Sequence, residues 1–468
     1  LTLPEAAGTF WTGDDLTIRA CRRLALATAA TILLAAGPGC APPPDPKPNI
    51  LLISIDTLRA DHLATYGYDR PTSPFVDSLA AQGIRFDRAY ATSSWTTPSV
   101  VSMITSSYPT RHRMGGRIRG VPRVWSRIPD GLPNLAEALR LRGYRTFGLV
   151  ANTNLAADRG FDRGFDRFEC LGTADLDRVD EAIAPWLDEI GRGEGPWFFW
   201  LHMLDPHGPY NGRTPWIESF EPAHASHAWL DGMTSERLVK YADRFSERHM
   251  DVVRALYDSE IRDMDEFLRS LFDRMPGAED AFVLFTADHG EEFLDHGGML
   301  HGRTLFDEQV RIPFIVRLPE GRFAGTVVDD AVSLVDVLPT IIGAAGGEPA
   351  EGAAGIDLIG PDGPSVPDGR VVVAELLRGV PERATIDGRW KFISKPGSPD
   401  RLELYDLNGD PSERANLAGD LTDRVAHFQE LLAAFERAHT PVTEELEQTD
   451  ITPEQLEALR ALGYVAPE

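Results

Sequence analysis

The sequence predicts an α/β fold: a mostly parallel central sheet with helices on both faces, followed by a small C-terminal antiparallel sheet with a helix. Three observations carry that prediction. Residues 49–55 and 281–287 are short continuous apolar runs, the pattern of strands buried on both faces. Apolar runs of this kind alternate with helical periodicity as far as about residue 343, the order expected of strand–helix–strand units. Composition then changes. Residues 343–369 are rich in Gly, Pro and Ala, and the runs Val371-Val372-Val373, Trp390-Lys391-Phe392-Ile393 and Leu402-Glu403-Leu404-Tyr405 follow. These read as the short strands of an antiparallel sheet.

The elements follow in order. Arg19, Arg22 and Arg23 precede an apolar stretch from Leu24 to Ala36, the length of a signal-peptide core and too short for a comfortable membrane span. Gly37-Pro38-Gly39-Cys40 and a proline-rich stretch to Pro48 come next. They predict a bacterial lipoprotein cleavage site with Cys40 lipidated and attached to the membrane; a plain secretory signal is the alternative. Either predicts an exported protein, periplasmic or at the cell surface. The expected organisation is a signal segment with linker over 1–47, the main α/β domain over 48–343, and a C-terminal subdomain over 344–468. In the main domain, helices are expected over 75–82, 97–106, 132–142, 179–190 and 238–275. Strands are expected over 49–55, 145–150, 197–204, 281–287 and 312–318. Pro98 suits the first turn of the second helix, and Gly83 and Gly143 end the first and third. An amphipathic helix over 422–439 lies near the end.

At 468 residues with a net charge of -26, the chain lacks the basic face a nucleic-acid binder needs. An anionic substrate would need local positive charge, which metal ions supply. The three cysteines, Cys21, Cys40 and Cys170, fit no zinc knot or redox pair.

The chemistry-bearing residues sit just after strands, where open α/β sheets bind ligands. The first strand runs into Asp56, and the strand over 281–287 into Asp288-His289-Gly290. Carboxylates with one imidazole suit a divalent cation. Alone, Asp56 would read as a helix cap; Asp288 and His289 make the metal role stronger. His301 is a further candidate ligand, in a His- and Gly-rich loop able to fold back. His296 in that loop reads as packing, and Glu291 and Glu292 as outer-shell or solvated groups. Beyond the strand over 197–204 lie Asp205 and His207. Asp205 is a candidate ligand, and His207 is a candidate for a second metal, for a substrate oxyanion or for protonating a leaving group. His202, inside that strand, reads as a satisfied buried histidine. Thr96 is the candidate nucleophile and metal ligand. Its hydroxyl needs a metal to activate it, and the helix starting near Pro98 adds a favourable field. Either Thr96 or Thr97 also suits an ordinary N-cap.

Together these motifs resemble the sulfatase family of the alkaline phosphatase superfamily. The resemblance rests on Pro48 through His62, Ser73 through Gly83, Thr286 through Glu291, Arg311-Ile312-Pro313, and, toward the end, Leu404-Tyr405-Asp406-Leu407 with Asp410-Pro411. It implies an alkaline-phosphatase-like fold and a catalytic role for residues 48–343. The departures are informative. The family carries Cys or Ser, oxidised to formylglycine, in Cys/Ser-x-Pro-x-Arg; here the stretch is Thr96-Thr97-Pro98-Ser99-Val100. The family's second metal Asp is Thr57, and its Lys and His after Gly-Tyr-x-Thr are absent, since Ala151-Asn152-Thr153 follows. No formylglycine is therefore expected. The remaining pattern resembles the Thr-nucleophile branches of the superfamily, in which Asp56, Thr96, Asp288 and His289 match one metal site. His301 matches a ligand of a second site, with Asp205 and His207 matching less closely. One or two divalent ions (Zn, Mn or Ca) are implied.

The leading expectation is a metal-dependent hydrolase of sulfate or phosphate esters with phosphodiester chemistry favoured, acting on a sulfated or phosphorylated small molecule, glycan or lipid. The alternatives are an envelope phospho-substituent transferase and a non-catalytic surface binding protein on a sulfatase scaffold.

Overall fold

Strand β1 (Ile50–Ile55) is buried along its whole length and lies at the centre of an eight-stranded sheet. The structure is a computed structural model and describes residues 47–115, 124–212, 215–378, 380–395, 401–462 and 464. The predicted signal segment and Cys40 lie outside the described residues. The other strands of the sheet are β2 (Ile84–Phe86), β3 (Arg145–Val150), β4 (Arg167–Cys170), β5 (Trp197–Met203), β6 (Phe282–Ala287), β7 (Phe314–Arg317) and β8 (Thr326–Val328). Their order is β8-β2-β7-β6-β1-β5-β3-β4. β6, β1, β5, β3 and β4 run parallel, while β7 is antiparallel to both β6 and β2. The fully buried β5, Trp-Phe-Phe-Trp-Leu-His-Met, shows why these runs are strands. Aromatic residues pack well on a pleated surface, and each buried large side chain contributes about 1.5–3 kcal/mol.

Register decides what the sheet presents. Ile55 pairs with Met203 on one side and Ala287 on the other, and Val150 pairs with His202. β1, β6, β5 and β3 therefore end nearly level, and the residues that follow them share one edge.

Helices cover the two faces in two mutually packed sets. One is α1 (Pro74–Ala81), α4 (Leu176–Arg192) and α5 (Glu247–Arg274); the other is α2 (Thr96–Thr105), α3 (Leu135–Leu141) and α6 (Val337–Ala344). Among the described residues no helix is long and apolar enough to cross a membrane.

Two expected elements are broken in the structure. The helix expected over 238–275 is Ser235–Tyr241 followed by α5, because Ser246 starts a new helix through a capping box with His249. The strand expected over 312–318 breaks at Pro313, which has no N–H to give a ladder. Arg311–Ile312 pairs with Ala89–Tyr90, and β7 joins the central sheet.

Beyond residue 370, β9 (Val371–Leu376), β10 (Glu382–Asp387), β11 (Trp390–Ser394) and β12 (Leu402–Asp406) form the expected antiparallel sheet. Helix α7 (Thr422–Ala438) packs on it, with Phe428 stacked on Phe392 at 5.6 Å. Gln448–Asp450 then pairs with Val124–Ser126 and a last helix, α8 (Pro453–Ala461), follows.

Candidate active site

Four strand ends and one helix start build the site. Asp56 leaves β1, Asp288 and His289 leave β6, and Thr96 opens α2; all four are fully buried. One ligand atom each from Asp56, Asp288 and His289 lies within 4.8 Å of the others. His289 Nε2 is 3.6 Å from Asp56 Oδ1, 3.5 Å from Asp288 Oδ2 and 3.4 Å from Thr96 Oγ1.

The hydrogen bonds around these groups orient them and leave the inward atoms bare. Asp288 Oδ1 accepts from the backbone N–H of Thr57 and His289, and Asn152 Nδ2 at the end of β3 donates to Asp56 Oδ2. Asp56 Oδ1 and Asp288 Oδ2 have no hydrogen-bond partner. Buried polar atoms are nearly always paired, so two bare carboxylate oxygens facing an imidazole fit a bound cation. Electrostatics agree. Burial pushes the Asp288 carboxyl well above the usual range, and the Asp56 charge adds to it. Burial also disfavours the Asp56 carboxylate, but His202, His207 and His289 outweigh it and hold it below that range. A divalent cation between the two would keep both ionised. Two carboxylates, one imidazole and a hydroxyl form a suitable donor set.

Three histidines share one design. The Nδ1 atoms of His289 and His207 are held by the carbonyls of Gly290 and Gly208 at 2.9 and 2.7 Å. His301 Nδ1 is 2.9 Å from Glu291 Oε1, while Tyr210 O–H donates to the other Glu291 oxygen. Fixing Nδ1–H leaves each Nε2 as the free lone pair, the usual support of a metal-binding or proton-handling imidazole. Burial pushes the His289 imidazole down to about 3, with His301 adding to it; a neutral ring is what a cation requires. The His301 ring centroid lies 4.5 Å from that of His289 and 5.0 Å from that of His207.

Local backbone supports the arrangement. Thr57 adopts a left-handed conformation with φ 56°, a costly state for a β-branched residue that turns its N–H onto Asp288. A Cβ at Gly290 would lie 2.2 Å from the Glu308 carbonyl oxygen, so only glycine lets this strand end approach residue 308. Buried Arg159 donates to Thr97 Oγ1 at 3.2 Å and places a guanidinium behind the start of α2.

The sequence-predicted residues divide as follows. Asp56, Thr96, Asp288 and His289 come together, with His301 and His207 beside them. The three convergent ligand groups are Asp56, Asp288 and His289. β5 ends at Met203, and a turn closed by His207 N–H on Leu204 O carries His207 toward the other histidines. His202 is a correction. Its Nδ1 is satisfied by Ser54 Oγ, but its Nε2 has no hydrogen-bond partner and lies 3.6 Å from Asp56 Oδ2. His296 packs in its loop, stacked on Phe306. Sequence reasoning missed Asn152 and Tyr464, whose hydroxyl is 2.9 Å from Thr96 Oγ1; Glu291, read as an outer-shell or solvated group, is buried and supports His301. The departure Ala151-Asn152-Thr153 was the available signal for Asn152; nothing local marks Tyr464.

Comparison with known proteins gives the family. The sequence model of the sulfatase family matches residues 48–347, so the chain belongs to the sulfatase family and is an ester hydrolase. It is 25% identical over 487 residues to an N-acetylgalactosamine-6-O-sulfatase of Bacteroides thetaiotaomicron, covering 82% of this chain and 92% of that protein. A solved 2-O GAG sulfatase superposes with a TM-score of 0.69 at 21% identity, over 88% of this chain and 96% of its own. The phosphonate monoester hydrolase of Agrobacterium radiobacter superposes with a TM-score of 0.64 at 20% identity, over 87% and 99%. These likenesses give the fold an alkaline-phosphatase-like core shared by sulfatases and phosphonate hydrolases.

Proposed function

We propose that this chain is a metal-dependent hydrolase that uses Thr96 as its nucleophile, and that it prefers phosphodiesters to sulfate esters. The observation that carries the reading is the position of Thr96 Oγ1, 3.4 Å from His289 Nε2 and beside the two partnerless carboxylate oxygens. Asp56, Asp288, His289 and Thr96 would hold a divalent cation, which supplies positive charge to lower the hydroxyl pKa and to neutralise an anionic ester. Thr96 releases its hydroxyl proton to solvent, its Oγ attacks the phosphorus or sulfur, the bond to the ester oxygen breaks, and His207 in its protonated form gives the Nε2 proton to the leaving oxygen. Water then attacks the Thr96 ester, His207 takes its proton, and Thr96 is restored. The start of α2 directs its N-terminal field at the charge that develops on Thr96.

The preference for phosphorus follows from the nucleophile. A hydrated aldehyde carries a second hydroxyl that can expel sulfate; Thr96 carries none, so release requires a second displacement at the central atom. The relatives, named for sulfated sugars and for phosphonate esters, support an anionic glycan or small-molecule ester as substrate. We also propose that residues 1–47 direct export, with Cys40 as the lipid anchor.

Steady-state turnover of an aryl phosphodiester and an aryl sulfate tests the reading. The phosphodiester is expected to give the higher kcat/KM, chelation to abolish turnover, and Thr96→Ala to lower it by at least about a thousandfold. Undiminished activity in Thr96→Ala would falsify the mechanism.

A further inference from the structure

Residues 447–462 and Tyr464 return from α7 to the main domain, and specific contacts hold them there. Arg127 N–H donates to Glu447 O, and the following strand pairs with Val124–Ser126. Helix α8 opens with a capping box between Thr452 and Gln455, and Gln455 Nε2 donates to Asp158 Oδ2 at 3.0 Å. Leu459 and Leu462 are buried. Asp158 belongs to the loop that leaves β3 through Asn152, so α8 is fastened to one wall of the active site. Tyr464 N–H then donates to Leu459 O at 2.9 Å, which turns the chain back off the end of α8.

That turn brings the Tyr464 side chain inside. The residue is 7% exposed, and its ring centroid lies 6.1 Å from that of His207 and 6.0 Å from that of His301. A buried phenol hydroxyl takes hydrogen-bond partners, and both partners here are groups of the site. Thr96 Oγ1 is 2.9 Å away and His301 Nε2 is 3.4 Å away. His301 Nδ1 is occupied by Glu291, so Nε2 acts as an acceptor. The phenol O–H can therefore donate to either Thr96 or His301.

We propose that Tyr464 is a catalytic residue of this active site, its phenol O–H aligning Thr96 Oγ1 and donating a hydrogen bond to the negative charge that forms as Thr96 attacks. The role rests on Thr96 being the nucleophile. In the step concerned, Thr96 has released its hydroxyl proton to solvent, the bond from its Oγ to phosphorus or sulfur forms as the bond to the ester oxygen breaks, and that oxygen takes its proton from His207. Tyr464 keeps its proton throughout and contributes only the hydrogen bond. A donor aimed at developing charge in a water-poor site accelerates reactions by about 100- to 1,000-fold. One turn of chain beyond α8 thus completes a site otherwise built from strand ends and the start of α2. The competing role is a plug, in which the Tyr464 ring stands where substrate must enter.

Tyr464→Phe separates the two, because it removes the hydroxyl and keeps the ring that packs against His207 and His301. With an aryl phosphodiester, kcat is expected to fall by about 100-fold while KM stays within about threefold. Orthovanadate, which mimics the five-coordinate transition state, is expected to bind the variant at least about tenfold more weakly by calorimetry. Wild-type kcat and vanadate affinity in Tyr464→Phe, with Thr96→Ala inactive, would overturn the role of Tyr464 and leave that of Thr96 standing. Faster turnover in Tyr464→Phe would identify a plug and overturn it equally. An active Thr96→Ala would remove the nucleophile on which both readings depend.

Discussion

His112 shows how much can hang on one buried side chain near the site. It is fully buried beneath α2. Met114 N–H donates to its Nδ1 at 3.0 Å, and its Nε2–H is 3.2 Å from Ser102 Oγ, so the neutral ring ties α2 to the next turn of chain. Burial pushes this imidazole down to about 3. The unfolded chain takes up a proton near pH 6.5 and the fold does not until about pH 3. Stability is therefore full above about 6.5 and falls as pH drops through that window, by up to about 1.4 kcal/mol per pH unit. Urea unfolding at pH 7 and pH 5.5 is expected to give a loss that is about 1–2 kcal/mol larger in the wild type than in His112→Gln, in which the other buried imidazoles still contribute; equal losses in the two would disprove the assignment. The residues legible in the sequence were of another kind. Asp56, Asp288 and His289 each end an apolar run and Thr96 opens a helix, so local pattern locates them. His202 acts on Asp56 from the neighbouring strand and Asn152 from beyond the end of the strand after it, and Tyr464 acts on Thr96 from residues far along the chain. Their roles exist only once strand order and register bring them together.

At the scale of elements, most strands and helices could be read from periodicity, because buried parallel strands are continuous apolar runs and the helices carry apolar stripes. The misreadings arose where a single residue overrode the pattern, a capping serine at Ser246 and a proline without an N–H at Pro313. Capping from a distant element was also invisible. Ser73 gives α1 no side-chain cap. Instead Asp265, on α5, accepts from the backbone N–H of Phe75 and Val76, both at 2.9 Å. One carboxylate thus satisfies two of the orphan donors that every helix start leaves and locks α1 to α5. Asp265→Ala is expected to lower stability by about 1–3 kcal/mol, as for a buried hydrogen-bonded group left unmatched. Asp265→Asn keeps one acceptor oxygen and is expected to lose about half as much. Equal, negligible losses in chemical denaturation would show that α1 is held by its apolar face alone.

Across the whole molecule, the balance of charge sets a constraint that the site answers locally. The chain carries a net charge of -26, and two of its fully buried acids, Asp56 and Asp288, face each other without a salt-bridged Lys or Arg among the described residues. Enclosing two carboxylates in this way costs several kcal/mol per ion unless charge of opposite sign accompanies them. Elsewhere the fold supplies that charge itself, as where buried Lys391 lies between Asp307 and Glu413. At the strand ends it supplies only imidazoles, so folding and cation binding should be coupled. A divalent cation at a hundred times its Kd is expected to raise the unfolding free energy by about 2.7 kcal/mol, and chelation to remove that gain. An acidic surface also attracts cations without any site, so the control is the doubly substituted Asp56→Asn, Asp288→Asn chain. Thermal unfolding at matched ionic strength should show the cation-dependent rise in Tm in the wild type alone. A rise of equal size in the substituted chain would mean that the cation acts by screening the surface, and the strand-end site would lose its support.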